Sequence, residues 1–471
     1  MSPEIATVVY GLAVLGLCLL DRDQASRPSK ALWIPVLWLL IIGSRPVSQW
    51  LNVAPVTNSP DQYLDGSHLD RLVFSALLAI ALIVLYTRGR RVSMLLFSNW
   101  PILLFFSYGA VSSAWSDYPD VAFKRWIKAL GDLVMVLLVL TETDLAAAIR
   151  RLLTRVGLVL LPASVLLIKY YPDLGRTYTP EFGFWQPLYT GVTLNKNSLG
   201  AVALVLGLGA VWELIELFQN KNVLNRGRRT LVYGTVLGMA LWIFRTANSI
   251  TSLSCFLFGA AVLTIVSIGP RFRRPVLVHT LTFAVLCCSA FAIFIAPNVV
   301  SMLGRDPTLT GRTQIWTTVL QMPVNRLIGT GFESFWLGDR MQTIWSIWWW
   351  HPNEAHNGYI EVLLNLGWIG IALLALLLIT GYRNIISALR RNVPIASLEL
   401  AYFLIAVIYS FTEAGFRMLA ITWIFLLLAI AAARVPVPET ETETRDQYED
   451  DPDIDKVALG QNVWADPEPE T

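Results

Sequence analysis

The chain has 471 residues, of which 55% are hydrophobic and 15% are charged, whereas a soluble domain carries roughly 25% charged residues. Apolar runs of about 16–22 residues recur along most of the length, and a helix needs about 20 residues to cross the hydrocarbon core. This pattern excludes a soluble globular protein. It predicts an all-α polytopic membrane protein, because backbone hydrogen bonds inside lipid have to close within each helix.

The net charge of +2 conceals a split between two parts of the chain. Residues 435–471 contain 12 acidic and 2 basic residues, a net charge of −10, which leaves +12 for residues 1–434. The acidic end is poor in apolar residues and contains Pro, so we predict a disordered tail after a transmembrane domain over 1–434. The bases are spread over short loops, which gives no support for a nucleic-acid partner.

Thirteen apolar runs are candidate spans, in chain order. They lie near 4–20, 31–50, 71–87, 94–111, 126–142, 149–168, 198–218, 230–247, 250–268, 276–296, 358–381, 396–412 and 416–433. The second, fourth and twelfth are the weakest, so we expect about 12–13 transmembrane helices. The first run lacks a basic segment before it, which favours a span over a signal peptide. All four cysteines lie in apolar runs, without disulfide or zinc spacing.

Six clusters of Lys and Arg fall in every second loop. They are Arg22, Arg27 and Lys30; Arg88, Arg90 and Arg91; Arg150, Arg151 and Arg155; Lys221, Arg226, Arg228 and Arg229; Arg271, Arg273 and Arg274; and Arg383, Arg390 and Arg391. Because cytoplasmic loops are rich in these residues, we expect the N-terminus outside and the acidic tail inside. Two outer loops are long: 169–197 should form an ordered, irregular cap, and the Trp-rich 297–357 should lie on the outer leaflet, in part as a helix.

Bases in the outer loops are the first candidates for chemistry, since few are expected there. Arg245 lies between two apolar spans, where a guanidinium is costly unless it is paired or faces water, although it could instead reach lipid headgroups. Arg312 stands in GRTQIWTTVL, where Ile315, Val319 and Met322 predict one face of an amphipathic helix with Arg312 in its first turn. The alternative for Arg312 is a solvated surface charge.

Two of the four histidines, His351 and His356, immediately precede the span near 358–381. Asn357 is the predicted N-cap, with His356 just outside the first turn and Tyr359 on the same side. Imidazole exchanges protons near neutral pH and a helix N-terminus favours an anion, so His356 could act as a base beside a phosphate. The alternative is a histidine bonded to a loop carbonyl. Zinc binding by the pair is disfavoured, because this spacing does not align two ligands and no third is evident.

Several further residues are weaker candidates. Arg176 and Lys196 flank the other long outer loop, where a solvated charge is the alternative. Glu361 lies inside a span, where an ionisable group is a functional candidate by default, although it could simply pair with an arginine; Glu354 and Glu413 are similar. Arginine binds phosphate oxygens bidentately, and no Asp-rich cluster stands nearby. The implied substrate is a phosphorylated, membrane-borne molecule, handled without a metal or cofactor.

Three stretches carry a family resemblance: GRTQIW, NRLIGTGFESFW and HPNEAHNGYIEVLLNLGWIGIALL. They resemble the signature region of the O-antigen ligase and polymerase superfamily, and are most like its exopolysaccharide polymerases. The resemblance is strongest over residues 195–375, where TGVTLNKNSLG and FRTANSITSL also look like family elements. An extra N-terminal span and the acidic tail depart from the family pattern.

The resemblance implies a GT-C-like glycosyltransferase of the bacterial inner membrane, with its active site on the periplasmic side. Members transfer a glycan from undecaprenyl diphosphate without a metal. Carried over to this chain, Arg245 and Arg312 would grip the diphosphate and His356 would activate the acceptor hydroxyl. The residues expected to contact diphosphate or sugar are Arg176, Lys196, Asn357, Tyr359 and Glu361.

Three functions remain open at this point. A polymerase would move the glycan onto another lipid-linked repeat unit, and a ligase would move it onto a lipid A–core sugar. A transporter or flippase is a lesser alternative, because no internal repeat is evident. Inversion by direct attack is expected, since no paired-carboxylate nucleophile is clear. Expected partners are the undecaprenyl-diphosphate-linked glycan, the lipid bilayer and other polysaccharide export or chain-length proteins.

Overall fold

The computed structural model describes residues 1–435 except 22–27, 54–63, 65, 182–183, 222, 224, 269–275, 281, 285–286, 288–311 and 392–394. The described part is helical apart from one two-stranded hairpin, which confirms the all-α membrane-protein prediction. The chain divides into two units, Met1–Arg434 and Val435–Thr471. The predicted disordered tail lies outside the described residues.

Nine helices lie before the hairpin. They are α1 (Pro3–Leu20), α2 (Trp33–Ile42, after a 3₁₀ turn at Lys30–Leu32), α3 (Val47–Trp50), α4 (His68–Thr87), α5 (Gly89–Ser98), α6 (Trp100–Ser112, followed by a 3₁₀ turn at Ser113–Trp115), α7 (Pro119–Leu140), α8 (Leu145–Tyr170) and α9 (Pro172–Gly175), counted over the described residues. The hairpin follows, with β1 (Arg176–Glu181) antiparallel to β2 (Phe184–Tyr189). The irregular cap predicted at 169–197 therefore contains regular strand pairing.

The second half contains eight described helices. They are α10 (Lys196–Gln219), α11 (Arg226–Ala247), α12 (Ile250–Ile268), α13 (Arg312–Gln321), α14 (Gly338–Ile347), α15 (Gly358–Arg390), α16 (Ala396–Tyr409) and α17 (Ile421–Ala432). Within the described residues, α13 and α14 are the helices of the long loop predicted over 297–357, which we call the outer loop after its predicted position, and they confirm that this loop is partly helical.

Seven described helices are long and apolar enough to cross a membrane: α1, α4, α8, α10, α11, α12 and α15. The span predicted near 94–111 is not one straight helix, because α5 and α6 meet there at 88°, which makes the pair a broken span or a re-entrant loop. The apolar helix of the span predicted near 31–50 ends at Ile42, and α16 and α17 are short apolar helices. Much of the span predicted near 276–296 lies outside the described residues. The chain is thus a multi-pass membrane protein, and a total of 12–13 spans stays a prediction.

A break in α15 anchors the outer loop. Gly367 has φ 65° and ψ −165°, outside the helical region. Beyond the break, Trp368 N–H donates to the Arg326 carbonyl at 2.9 Å and Ile369 N–H donates to that of Leu327 at 3.1 Å. A loop segment thus satisfies the backbone groups that the break frees, as hydrocarbon surroundings require.

The outer loop has a small hydrophobic core of its own. Its buried members are Ile315, Trp316, Val319, Phe335, Trp336, Met341, Ile344, Ala355 and Leu364. Leu364 belongs to α15, and the other eight come from the outer loop. Met322 packs against the edge of this core, so the face predicted for α13 is confirmed. The core fixes the start of α13 and the residues before α15 relative to each other.

Basic clusters gather at the other end of the helices. Arg88 pairs with Glu142 at 2.9 Å, where α4 ends. Glu213, near the end of α10, pairs with Arg150 at 2.5 Å and Arg229 at 2.9 Å. The candidate site lies at the opposite end of the bundle, where α10 and α15 begin.

Candidate functional site

Arg312 holds the loop between α16 and α17. Its Nη2 lies 2.6 Å from Glu413 Oε1, and its Nη1 donates to the Thr412 carbonyl. As predicted, Arg312 is in the first turn of a helix whose apolar face packs inward. The side chain is 13% exposed, so the solvated-charge alternative for Arg312 is wrong.

His356 lies between two carboxylates. Its Nδ1 is 2.9 Å from Glu354 Oε1 and 3.2 Å from Glu413 Oε2. Both carboxylate contacts are thus made by Nδ1, and neither is made by the other ring nitrogen, Nε2. The backbone of His356 has φ 50°, a left-handed conformation that is uncommon for a residue with a side chain. Strained backbone of this kind clusters at functional sites. In this structure the ring bonds to carboxylates, so the loop-carbonyl alternative does not describe it.

Arg417 extends the same ionic network. Its Nε lies 2.9 Å from Glu333 Oε2, and its Nη1 lies 3.3 Å from Glu354 Oε2. Followed from one ionic contact to the next, the network runs through Arg312, Glu413, His356, Glu354, Arg417 and Glu333. With His356 protonated, three positive groups alternate with three negative ones.

The network shifts the protonation of its members. Burial by itself would lower the pKa of His356, but the charge and hydrogen bonds of Glu354 and Glu413 raise it to about 10. Burial would raise the pKa of Glu354, but His356, Arg417 and Arg312 lower it to about 2. The imidazole is therefore protonated at neutral pH in this structure. A base with an ordinary pKa, as expected from the sequence, is not what the network produces.

The N-terminus of α15 is closed to an anion. The Gly358 N–H donates to Ser410 O at 2.7 Å, and the N–H groups of Tyr359 and Ile360 donate to Asn357 Oδ1 at 3.0 Å. Asn357 is thus the N-cap, as predicted. Because these donors are engaged, the expectation that the helix end would attract a phosphate is wrong.

Glu361 supports the outer loop. Both carboxylate oxygens accept from Trp336 Nε1, at 2.9 and 3.0 Å, and Oε1 also accepts from the Ala355 N–H. Asn365 Nδ2 lies 3.4 Å from Oε2. None of its described hydrogen bonds comes from an arginine, and Arg417 interacts with it through charge alone. The buried carboxylate positions the segment just before His356.

Arg245 lies at the end of α11, just before the turn that leads to α12. It is exposed in the last turn of α11. Just beyond that turn, Thr251 Oγ1 lies 3.3 Å from Thr412 Oγ1, and Thr412 also accepts from Arg312. The structure therefore places Arg245, Arg312 and His356 at one end of the bundle.

A cavity of about 270 Å³ lies beside the network, and its walls include Asn195, Asn197, Glu354, Glu413 and Arg417. The asparagines flank Lys196, which starts α10 and is half-buried. The N-terminus of this helix, which favours anions, therefore borders the carboxylate side of the network. Lys196 itself does not line the cavity.

Three other candidates are engaged elsewhere. Arg176 donates to the Ile168 carbonyl at 2.8 and 3.1 Å, so it holds the end of α8. The Tyr359 hydroxyl donates to Val407 O at 3.1 Å. The His351 ring stacks on Trp345 with 4.3 Å between centroids. The described contacts do not bring these three side chains into the network.

Glu354, His356 and Glu413 could also hold a metal. Each offers one ligand atom, and these atoms lie within 4.8 Å of one another. Two carboxylates and an imidazole suit a divalent cation. However, Arg312 and Arg417 already pair with these carboxylates, so side chains supply the compensating charge.

Arg417 and Glu333 were missed by sequence reasoning. Arg417 falls inside the span predicted near 416–433, yet α17 begins only at Ile421. An arginine within a predicted span is itself a signal of a functional or misplaced segment. Glu333 carries no such signal, because its place depends on the docked loop.

Comparison with known proteins agrees with the sequence resemblance. Residues 235–375 match a family model described as O-Antigen ligase. The chain is also similar to the exopolysaccharide production protein ExoQ of Rhizobium meliloti (strain 1021), with 26% identity over 300 residues. That alignment covers 60% of this chain and 64% of the relative. On these matches, residues 235–375 are similar to an O-antigen ligase domain, and the chain is similar to a protein of exopolysaccharide production.

Proposed function

We propose that the chain is an inner-membrane glycosyltransferase that polymerises undecaprenyl-diphosphate-linked repeat units, with its site facing the periplasm. The observation that carries this is His356 held between Glu354 and Glu413 beside Arg312. The similarity to a protein named for exopolysaccharide production favours polymerase over ligase. A ligase using the same residues is the second candidate, because the matched family model bears that name.

The proposed reaction is a direct displacement. The acceptor hydroxyl attacks the anomeric carbon; the new C–O bond forms while the bond to the diphosphate oxygen breaks, and its electron pair leaves with the diphosphate. The hydroxyl proton passes to Nε2 of neutral His356, whose Nδ1–H is held by the two carboxylates. Base catalysis of this kind contributes roughly 10²–10⁴-fold. The anomeric configuration inverts.

Arginines stabilise the leaving group in this proposal. A guanidinium has five N–H donors, and Arg312 uses two in its described contacts. The remainder can bind phosphate oxygens, together with the exposed Arg245. Stabilising charge on a departing oxyanion is often worth ~10²–10³-fold for one donor. No step requires a metal ion.

The test is a reconstituted reaction. Purified protein is incubated with lipid-linked oligosaccharide and a chelator, and the products are sized. A ladder of polymers supports the proposal. Transfer only to a lipid A–core acceptor would identify a ligase, and lipid movement across liposomes without a new glycosidic bond would identify a transporter. Activity that needs a divalent cation would overturn metal independence and implicate Glu354, His356 and Glu413 as ligands.

A matched pair of variants isolates the base. His356→Ala should abolish polymer formation while the protein level stays normal. His351→Ala removes the other imidazole of the same loop, which stacks on Trp345, and should retain activity. Ordinary polymer yield from His356→Ala would refute the base assignment.

A further inference from the structure

Asp132 is a buried carboxylate that the proposed reaction does not use. It lies within α7, in the span predicted near 126–142, and it is 0% exposed. Sequence reasoning did not select it. An ionisable residue inside a membrane span is costly to bury and is by default a functional candidate whose partners have to be identified.

Both carboxylate oxygens of Asp132 accept a hydrogen bond. Oδ1 accepts from Trp38 Nε1 on α2 at 2.9 Å, and Oδ2 accepts from the Leu419 backbone N–H at 2.8 Å. The indole can come this close because residue 131 is a glycine, where a Cβ would clash with the Trp38 ring. Indole and backbone N–H groups can only donate. The position therefore suits a side chain with two acceptor oxygens, and asparagine would turn its NH2 group toward one of the donors.

Leu419 has a backbone conformation that needs support. Its φ of 58° is left-handed, which is uncommon for a residue with a side chain. The Ala420 N–H donates to the Arg417 carbonyl at 3.2 Å, so Leu419 is the third residue of a turn, where a positive φ usually calls for glycine or asparagine. Such a conformation persists where the surroundings hold it. The bond from the Leu419 N–H to Asp132 is one of these restraints.

The turn from Arg417 to Ala420 carries a member of the ionic network. Arg417 opens the turn, and its guanidinium pairs with Glu333 at 2.9 Å and with Glu354 at 3.3 Å. Glu354 lies 2.9 Å from His356 Nδ1. A displacement of the turn would therefore move a charge that positions the imidazole.

The segment between α16 and α17 is held from two sides. In its first half, the Gly358 N–H donates to the Glu413 carbonyl at 3.0 Å, and Asn357 Nδ2 donates to the Phe411 carbonyl at 3.0 Å. Those contacts come from the start of α15, whereas the second half is held by Asp132 from α7. Different elements thus set the positions of Glu413 and Arg417, and the network closes when α7 and α15 both hold the segment.

We propose that Asp132 is a positioning residue for the transfer reaction. It fixes the turn from Arg417 to Ala420 against α7, and the turn holds Arg417 where it orients Glu354 and, through it, His356. This rests on the proposed function, because the expected loss is a loss of turnover. Asp132 does not contact the reacting groups in this proposal and acts through a backbone N–H.

The first test follows the turn without any reaction. Full-length protein in detergent is examined by hydrogen–deuterium exchange and mass spectrometry. In Asp132→Asn, the peptide that contains Leu419 should exchange faster than in the wild type, whereas peptides from α12 should keep their rates. Wild-type exchange of the Leu419 peptide in this variant overturns the proposal.

Trp38→Phe is the matched control. It removes the other hydrogen bond to the same carboxylate and leaves the bond to Leu419 in place, so the Leu419 peptide should stay protected. Equally fast exchange of that peptide in Trp38→Phe would assign the effect to general loosening around α7 and would overturn the proposal.

The second test measures turnover with lipid-linked oligosaccharide as substrate. Asp132→Asn should lower kcat at least about tenfold and leave KM near wild type, because a misplacement of about 1 Å can cost roughly 10²-fold in rate. Trp38→Phe should lower the unfolding temperature but keep kcat near the wild-type value. An unchanged kcat in Asp132→Asn, or an equal loss in both variants, contradicts the proposal. If no protein, wild type included, forms a glycosidic bond, the proposed function fails and the exchange measurement still reports on Asp132.

A double-variant cycle shows whether the effect passes through Leu419. Glycine adopts a positive φ readily, so Leu419→Gly makes the turn less dependent on its support. Asp132→Asn should therefore reduce kcat by a smaller factor in the Leu419→Gly background than in the wild type, which is the non-additivity expected of residues in contact. Equal factors in the two backgrounds would place the effect of Asp132 elsewhere and contradict the proposal.

A second substitution keeps the test open if Asp132→Asn does not fold. Asp132→Leu replaces the buried carboxylate by an apolar side chain of similar size, which a buried position often tolerates better than an unmatched polar group. It also removes the acceptor for the Leu419 N–H, so faster exchange of the Leu419 peptide and a lower kcat are expected. Wild-type values for both contradict the proposal.

Discussion

The protonation of His356 makes a prediction that can be followed with pH. Its pKa is raised to about 10, so at pH 7 only about one molecule in a thousand carries the neutral imidazole that the proposed base requires, and at pH 9 about one in ten does. If neutral His356 takes the proton, kcat/KM should rise roughly tenfold per pH unit, about 100-fold between pH 7 and 9. A histidine with an ordinary pKa would give a nearly level profile over the same range.

Glu354→Gln provides the matched perturbation. It removes the charge that does most to raise the pKa of His356, so the inflection of the kcat/KM profile should move toward neutral pH. The assay measures initial rates of polymer formation at low substrate from pH 6 to 9.5. A wild-type profile that stays flat from pH 7 to 9 would refute the reasoning that His356 acts as a base with its pKa raised to about 10.

Folding has to be monitored at each pH, because the same groups contribute to stability. The raised pKa of His356 stabilises the fold fully below about pH 6.5, and this contribution is lost as pH rises toward about 10. The lowered pKa of Glu354 stabilises it above about pH 4.5, and that contribution is lost as pH falls toward about 2. The unfolding temperature should therefore decline on the alkaline side, and His356→Gln should flatten that decline. An identical decline in the variant would assign it to other groups.

Three further predictions concern the scaffold. Arg312→Lys should lower activity at least about tenfold, because one ammonium cannot reproduce the two-nitrogen grip on a carbonyl and a carboxylate; this is read from initial rates. Trp336→Phe should lower the free energy of unfolding by about 1.5–3 kcal/mol, because buried Glu361 loses a hydrogen bond to a charged acceptor; this is read from denaturant unfolding. Truncation before Val435 should leave polymer formation intact in the reconstituted assay.

Matched controls separate these effects from general damage. Arg228→Lys changes an exposed arginine at the other end of the bundle and should keep full activity. Trp345→Phe removes a partly exposed indole whose N–H donates to the Pro352 carbonyl at 3.0 Å, and should cost less stability than Trp336→Phe. Wild-type activity in Arg312→Lys would show that a bare positive charge suffices. An equal loss of unfolding free energy in the two tryptophan variants would contradict the argument from Glu361. An inactive truncation would contradict the prediction that catalysis does not need the acidic tail.

The identities of the central residues were available from the sequence. A histidine before an apolar helix and an arginine opening an amphipathic one are local signals, and helical periodicity placed the face of α13 correctly. Asn357 as N-cap follows from the same local rules. The break at Gly367 was hidden, because a single glycine within an apolar run has no local signature that separates a tolerated residue from a helix break.

Composition and periodicity determined the helical membrane architecture, because burial in lipid leaves the backbone few options. The pattern of basic loops predicted that both long loops lie at the same end of the helix bundle. Only the tertiary structure decided which charges meet. Glu413 and Arg417 are more than fifty residues from His356, and Glu333 reaches Arg417 because a loop docks into the break in α15. Since pairing energies depend on distances set by that packing, the protonation of His356 and the closure of its helix N-terminus could not be read from the sequence.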